Sequence, residues 1–212
     1  MKLLKSDLFG RVLLEEERGR AVIVRDTGTA RWWLGWLARL LCRREALALA
    51  RIDKLPGTPR LIGADSKGLR REWIEGRPMQ VARPHNPDYF RQARRLVASL
   101  HRRGVAHNDL AKEPNWLVTP TGAPAVVDFQ LATTSVRRGW LFRALAREDL
   151  RHLLKHKRVY CPERLTARER RILATPACHS RLWMATGKPI YRFVTRRLLG
   201  WADREGAGDR RF

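Results

Sequence analysis

Three oxygen-bearing side chains at fixed intervals constrain this chain more than any other feature. They are Asp109, Asn115 and Asp128, carried by His107-Asn108-Asp109-Leu110-Ala111-Lys112-Glu113-Pro114-Asn115 and by Val126-Val127-Asp128-Phe129-Gln130. An apolar stretch with helical spacing runs up to His107. Two short β-type runs follow, Trp116-Leu117-Val118 and Ala125-Val126-Val127, with the turn Pro120-Thr121-Gly122 between them. A helix that delivers a loop, then a hairpin whose second strand ends on Asp128, brings distant residues to one place. Aspartate and asparagine supply the hard oxygen ligands that magnesium prefers. A lone aspartate in a loop is ordinarily a cap or turn residue, and three donors at this spacing weaken that reading.

The flanking sequence predicts a mixed α+β fold. Leu3–Leu14 and Arg20–Arg25 read as strands, with the charged turn Glu15-Glu16-Glu17-Arg18-Gly19 before Arg20. Trp36–Ile52 reads as a helix, because Leu37, Leu40, Leu41, Ala48, Leu49 and Ile52 recur near helical spacing. Arg60–Ala64 and Leu69–Ile74 form a hairpin pattern across Asp65-Ser66-Lys67-Gly68, so the order β-β-β-α-β-β fills the first 75 residues. Glu75-Gly76-Arg77-Pro78 reads as a hinge. Beyond it Asn86-Pro87 is a helix start, asparagine as N-cap and proline at the first position. Phe90, Ala93, Leu96, Val97 and Leu100 then share one face. Further helices are expected over Trp140–Lys157, after the capping-box pattern Thr166-Ala167-Arg168-Glu169, and over Tyr191–Trp201.

Bulk properties narrow the setting. A chain of 212 residues with 44% hydrophobic content can bury a sizeable core. Three cysteines without a CxxC pair argue against a disulfide framework or structural zinc and suit a reducing cytoplasm. The amino terminus breaks into charge before a signal-peptide stretch develops. The longest apolar run, Trp32 to Ala38, has seven residues, against the roughly 20 needed to span a bilayer. Lysine and arginine outnumber acids 44 to 21, a formal charge of +23. Such a surface attracts nucleic acid, an anionic bilayer or phosphorylated substrate, or else is merely solvated.

The HNDL…N and VVDFQ segments carry a resemblance over about residues 1–157. The chain resembles the protein-kinase-like superfamily, and within it the small bacterial lipopolysaccharide sugar kinases (the Kdo-kinase type) and the RIO-like serine/threonine kinases. The resemblance implies a two-lobed fold: a small β-rich lobe with one helix over residues 1–75, and a mainly helical lobe over residues 76–212. It implies Mg-ATP in the cleft and transfer of the γ-phosphate to a hydroxyl acceptor, on a protein or on a lipid-linked glycan at the inner membrane face. Asp109 then corresponds to the catalytic aspartate that orients the hydroxyl, and Asn115 and Asp128 to the magnesium ligands. Glu45 falls at the helix glutamate that anchors the phosphate-binding cation. Arg25 occupies the strand position of that cation, and Glu72-Trp73-Ile74-Glu75-Gly76 the hinge that meets adenine. Glu72 and Ile74 thus join Gly10, Arg25, Glu45 and Lys112 as the nucleotide-binding set.

Three departures bear on this expectation. Asp109 and Asn115 lie six positions apart, one more than the family loop, so a bulge is expected near Lys112-Glu113-Pro114. Arg25 replaces lysine, a planar fork in place of a compact charge. Only Gly10 stands between the first two strand candidates, where a glycine-rich loop would offer backbone amides to phosphate. Arg25 and the lengthened loop also suit a pseudokinase that binds without turnover, and the charge alone suits a basic nucleic-acid-associated protein. Gln130, in place of glycine, suggests a fixed conformation after Asp128.

Two further constellations stand out. Arg31-Trp32-Trp33-Leu34-Gly35-Trp36-Leu37-Ala38-Arg39 mixes tryptophan with arginine, as the headgroup region of an anionic membrane favours. The alternative is that Trp32 and Trp33 pack against the fold. Tyr191–Trp201 repeats this composition. His152 and His156 are spaced i, i+4 without an evident third ligand, so they read as surface residues, and Cys178-His179 is similarly isolated.

Overall fold

The computed structural model describes residues 1–174, and Met1–Arg170 form one compact unit. The fold is mixed α+β. Five antiparallel strands, β1 (Lys2–Asp7), β2 (Gly10–Glu17), β3 (Arg20–Asp26), β4 (Leu61–Ala64) and β5 (Gly68–Glu72), form a sheet in the order β1-β2-β3-β5-β4. The segment Leu3–Leu14 holds two strands that part at Gly10, as the order β-β-β before the helix requires. The chain reverses at Leu8-Phe9, where the Phe9 N–H donates to Asp7 Oδ1 at 2.8 Å. Gly10 then opens β2 with φ of 125°, and a Cβ there would stand 2.1 Å from the Asp26 carbonyl oxygen. Glycine is required where β2 runs onto the end of β3. Gly10 is buried at that crossing and does not stand in an open loop.

Helix α1 (Gly35–Arg51) connects β3 to β4 and buries Ala38, Cys42, Glu45, Ala48 and Leu49. The expected apolar face holds at its C-terminal end, where Ala48, Leu49 and Ile52 are buried, and fails at its start: Leu40 is exposed, and Leu37 and Leu41 are half-buried. Small side chains at 38, 42 and 48 let the helix sit close to its neighbours, which rotates the larger leucines outward. Glu45 is an acid inside this buried stripe, and an acid is rarely buried without cationic partners.

After β5 the chain changes sheets. The Trp73 N–H still bonds the Ala21 carbonyl at 3.1 Å. The stretch read as a hinge then contributes β6 (Arg77–Pro78), which pairs with β8 (Trp116–Val118), itself paired with β9 (Pro124–Val126). A short helix, α2 (Met79–Ala82), buries Met79. Helix α3 (Pro87–Arg102) starts as expected: Asn86 Oδ1 accepts from the Asp88 N–H at 2.9 Å, with Pro87 at the first position. Its buried face holds Phe90, Ala93, Leu96, Val97 and Leu100, with Tyr89 added. Each large apolar side chain so buried contributes about 1.5–3 kcal/mol. These residues join Ala48 and Leu49 of α1, and Ile52 just past its end, to Trp116, Val126 and Phe129 in one core. That core fixes the helix bearing Glu45 against the hairpin leading to Asp128.

Strand β7 (Val105–Ala106) pairs with β10 (Thr133–Thr134), and α4 (Trp140–Tyr160) follows. Helix α5 (Ala167–Ala174) begins with the reciprocal bonds of a capping box, Thr166 N–H to Glu169 Oε2 at 2.9 Å and Glu169 N–H to Thr166 Oγ1 at 3.2 Å. Tyr191–Trp201 and Cys178-His179 lie outside the described residues. Among the described residues, no helix is long and apolar enough to cross a membrane.

Candidate active site

The loop between β7 and β8 carries Asp109 and Asn115. A 3-10 turn over Glu113–Asn115 lies where the bulge was expected. The turn aims Asn115 back at the loop. Its Nδ2 donates to the Asp109 carbonyl oxygen and to Asp109 Oδ2, both at 2.9 Å. Lys112 Nζ lies 3.1 Å from the same Oδ2, so the lysine sits on the candidate catalytic carboxylate from an otherwise exposed position.

His107 links this loop to the Asp128 strand. Its Nε2 bonds the Val127 carbonyl at 3.1 Å, its Nδ1 accepts from the Asp109 N–H at 3.3 Å, and its ring leans on Phe129. One donor and one acceptor nitrogen is the pattern of neutral imidazole. Complete burial lowers its pKa, against the opposing pull of nearby Asp149. The Val127 N–H also bonds the Asn115 carbonyl at 3.0 Å. Asn115 and Asp128 therefore hang from adjoining, directly bonded backbone.

Asn108 and Asp128, flanking this junction, both hold positive φ, 66° and 65°. Non-glycine residues seldom adopt that region, and such strain persists where surrounding bonds over-determine it. Those bonds come partly from Asp149 of α4, which sequence reasoning missed. Its fully buried carboxylate accepts from the His107 N–H at 2.7 Å, the Asn108 N–H at 2.9 Å and His101 Nε2 at 3.0 Å. An acid midway along a basic helix gave little sign of this role.

Opposite the loop lies a chain of alternating charge. Glu45 is wholly buried between two guanidinium groups, Arg25 Nε at 3.3 Å and Arg71 Nε at 3.1 Å. Arg25 Nη2 also reaches to 3.8 Å from Asp128 Oδ1, and Gln130 Nε2 donates to that oxygen at 2.7 Å. Burial alone would raise the pKa of Asp128. Arg25 and the Gln130 hydrogen bond outweigh it and hold the carboxyl below its ordinary value, hence ionised at neutral pH. Arg71 was not foreseen, although strand alternation puts it on the buried side with Leu69. Burial pulls its pKa down, and Glu45 opposes that.

The expected site residues therefore fall into two bonded groups. Asp109, Asn115 and Lys112 form one, and Arg25, Glu45 and Asp128 the other, joined through His107 and the Asn115–Val127 backbone bond. Glu72 and Ile74 lie apart. They line an open cavity of about 440 Å³ with Lys54, Pro56, Thr119 and Ala125, and neither Asp109, Asn115 nor Asp128 borders it. The charged cluster is the better guide to chemistry, because the cavity holds no convergent set of buried polar groups. Among the described residues, no group of three or more His, Cys, Asp or Glu side chains could hold a metal ion, so a cation here would depend on the Asn115 amide oxygen. The donor set fits that use. Asn115 spends its amide nitrogen on Asp109, which turns its oxygen the other way. Asp128 is an ionised carboxylate with about a third of its side chain accessible.

His152 and His156 are not the surface residues expected. His156 is buried with Nε2 bonded to the Leu110 carbonyl at 2.8 Å, which steadies the residue after Asp109. Burial also pushes the His152 pKa down to about 4. No family model matches the chain, and no curated protein matches it.

Proposed function

We propose that this protein is a Mg-ATP-dependent phosphotransferase with a two-lobed, protein-kinase-like fold, moving a phosphoryl group to a hydroxyl acceptor. The observation that carries the reading is the pairing of two arrangements across one junction. Asn115 is locked onto Asp109, and Arg25 bridges a buried helix glutamate and Asp128. Phosphoryl transfer asks a protein for position and charge neutralisation more than for covalent chemistry. Mg-ATP, when bound, would supply the electrophilic phosphorus, with ADP as leaving group, and a charge-neutralising cation. Asp128 and the Asn115 oxygen would hold magnesium, and Arg25, steered by Glu45, would meet phosphate oxygens. Asp109 would orient the acceptor hydroxyl and take its proton, with its own aim set by Asn115. The acceptor is a protein serine or threonine, or a sugar hydroxyl.

A non-catalytic nucleotide-binding module is the second reading. It is favoured by arginine at position 25 and by the Gln130 bond that already occupies Asp128. Two measurements separate the readings. Thermal stabilisation by ATP that requires magnesium is expected, because a ligand selective for the folded state raises its stability. ATP consumption by the wild type is expected to vanish in Asp128→Ala and to fall by about a hundredfold or more in Asp109→Asn, the scale of losing a positioned base. Stabilisation without consumption would leave the binding module. Neither effect would end both readings.

A further inference from the structure

The outer face of α1 is not used by the site. Trp32 is 92% exposed just before the helix and Trp36 is 63% exposed in its first turn. Leu40 and Leu47 continue the same exposed stripe at helical spacing, with Arg39 and Arg43 alongside. The helix contains a single acid, Glu45, and that is buried on the opposite side. The outward face is therefore aromatic, aliphatic and cationic, with no negative charge.

A second segment of the same character follows a stretch that is bonded to this helix. Arg44 of α1 donates to the carbonyls of Leu131 and Ala132, at 3.2 Å each from Nη2. The chain that continues from there exposes Val136, Arg137, Arg138, Trp140, Leu141 and Arg143, with Trp140 at 75%. This stretch also contains no acid. A solvated loop has no physical reason to display a tryptophan, a valine and a leucine together, and large exposed apolar patches mark contact surfaces.

We infer that the outer face of α1 and the 136–143 segment together dock on an anionic lipid surface. Tryptophan partitions to the headgroup boundary, leucine and valine gain by entering the acyl edge, and the arginines meet lipid phosphates. A nucleic acid would satisfy the arginines and stack on the tryptophans, but it offers nothing to Leu40, Leu47, Val136 or Leu141. The aliphatic share of the surface therefore selects lipid.

The test uses the full chain and does not depend on catalysis. The wild type is expected to sediment with vesicles of phosphatidylglycerol and phosphatidylcholine and not with pure phosphatidylcholine. Its tryptophan fluorescence should be quenched by brominated phosphatidylglycerol. Trp32→Ser/Trp36→Ser/Leu40→Ser, at exposed positions, should keep the wild-type circular dichroism and lose vesicle affinity by about tenfold or more. Trp140→Ser should weaken binding separately. Unchanged vesicle binding by the triple variant, or no quenching in the wild type, would overturn the assignment. So would a triple variant that loses single-stranded RNA binding while vesicle binding persists, since the face would then serve a polynucleotide.

Discussion

Glu45 shows how one buried charge organises its neighbours. Its carboxylate has no access to water and meets two guanidinium groups, each mostly buried. Two cations on one anion leave a net positive charge, and Asp128 lies where Arg25 can use it. Removing one side of such an arrangement is costlier than the arrangement is worth, because uncompensated buried charge remains. Glu45→Gln should therefore lower the unfolding free energy by about 3–5 kcal/mol, read from urea denaturation. Arg71→Met should cost less than half as much, since Glu45 keeps Arg25 and the vacated space takes an apolar chain. Equal losses in the two variants would show that the cluster needs Arg71 as much as Glu45, and that Arg25 alone does not compensate the buried carboxylate. Arg71 was readable only through alternation in β5. Glu45 was named in advance, but as the partner of Arg25, so its second cation went unannounced.

At the scale of elements, legibility followed from whether a local bond sets the boundary. Helix α3 begins where Asn86-Pro87 said it would, because the asparagine side chain binds the backbone two residues on and proline has no N–H to satisfy. The start of α5 was legible for the same reason, through the reciprocal Thr166–Glu169 bonds. The β8–β9 hairpin was legible because its strands are short, apolar and separated by Pro-Thr-Gly. The break between β1 and β2 was legible only in part, as the lone glycine between two strand candidates. It depends on an Asp7 side-chain bond and on the approach of Gly10 to Asp26, a contact with a strand further along the chain. The site behaved alike: Asp109, Asn115 and Asp128 lie close in sequence and were visible by spacing. Asp149, which steadies their loop from some 40 residues away, had no local signature. Asn86→Ala should cost about 1 kcal/mol through the lost cap, measured as a shift of the urea midpoint at unchanged slope. No shift would mean that the buried face of α3 alone fixes where the helix starts.

The whole molecule should lose stability on mild acidification, and buried histidines set the window. Burial lowers the pKa of His107, His156 and His152, the last to about 4. In the unfolded chain each titrates near pH ~6.5. As pH falls through that value, the unfolded state takes up protons that the folded state refuses, so it binds more protons and stability falls with pH. The loss continues until the folded-state values are reached. Asp128 and Glu169 have folded values below the ordinary carboxylate range. Their contribution stays intact above about pH 4 and adds nothing to the slope between neutrality and pH ~5. A second cause has the same sign, because a chain of net charge +23 repels itself more as histidines charge. Salt separates the two. Self-repulsion between exposed charges is screened at high ionic strength, whereas the refusal of a buried imidazole to protonate is not. The urea midpoint should therefore fall steadily from pH ~7.5 to ~5, keep most of that slope in strong salt, and flatten in part in His152→Gln. A slope abolished by salt and untouched by the substitution would assign the whole effect to surface charge.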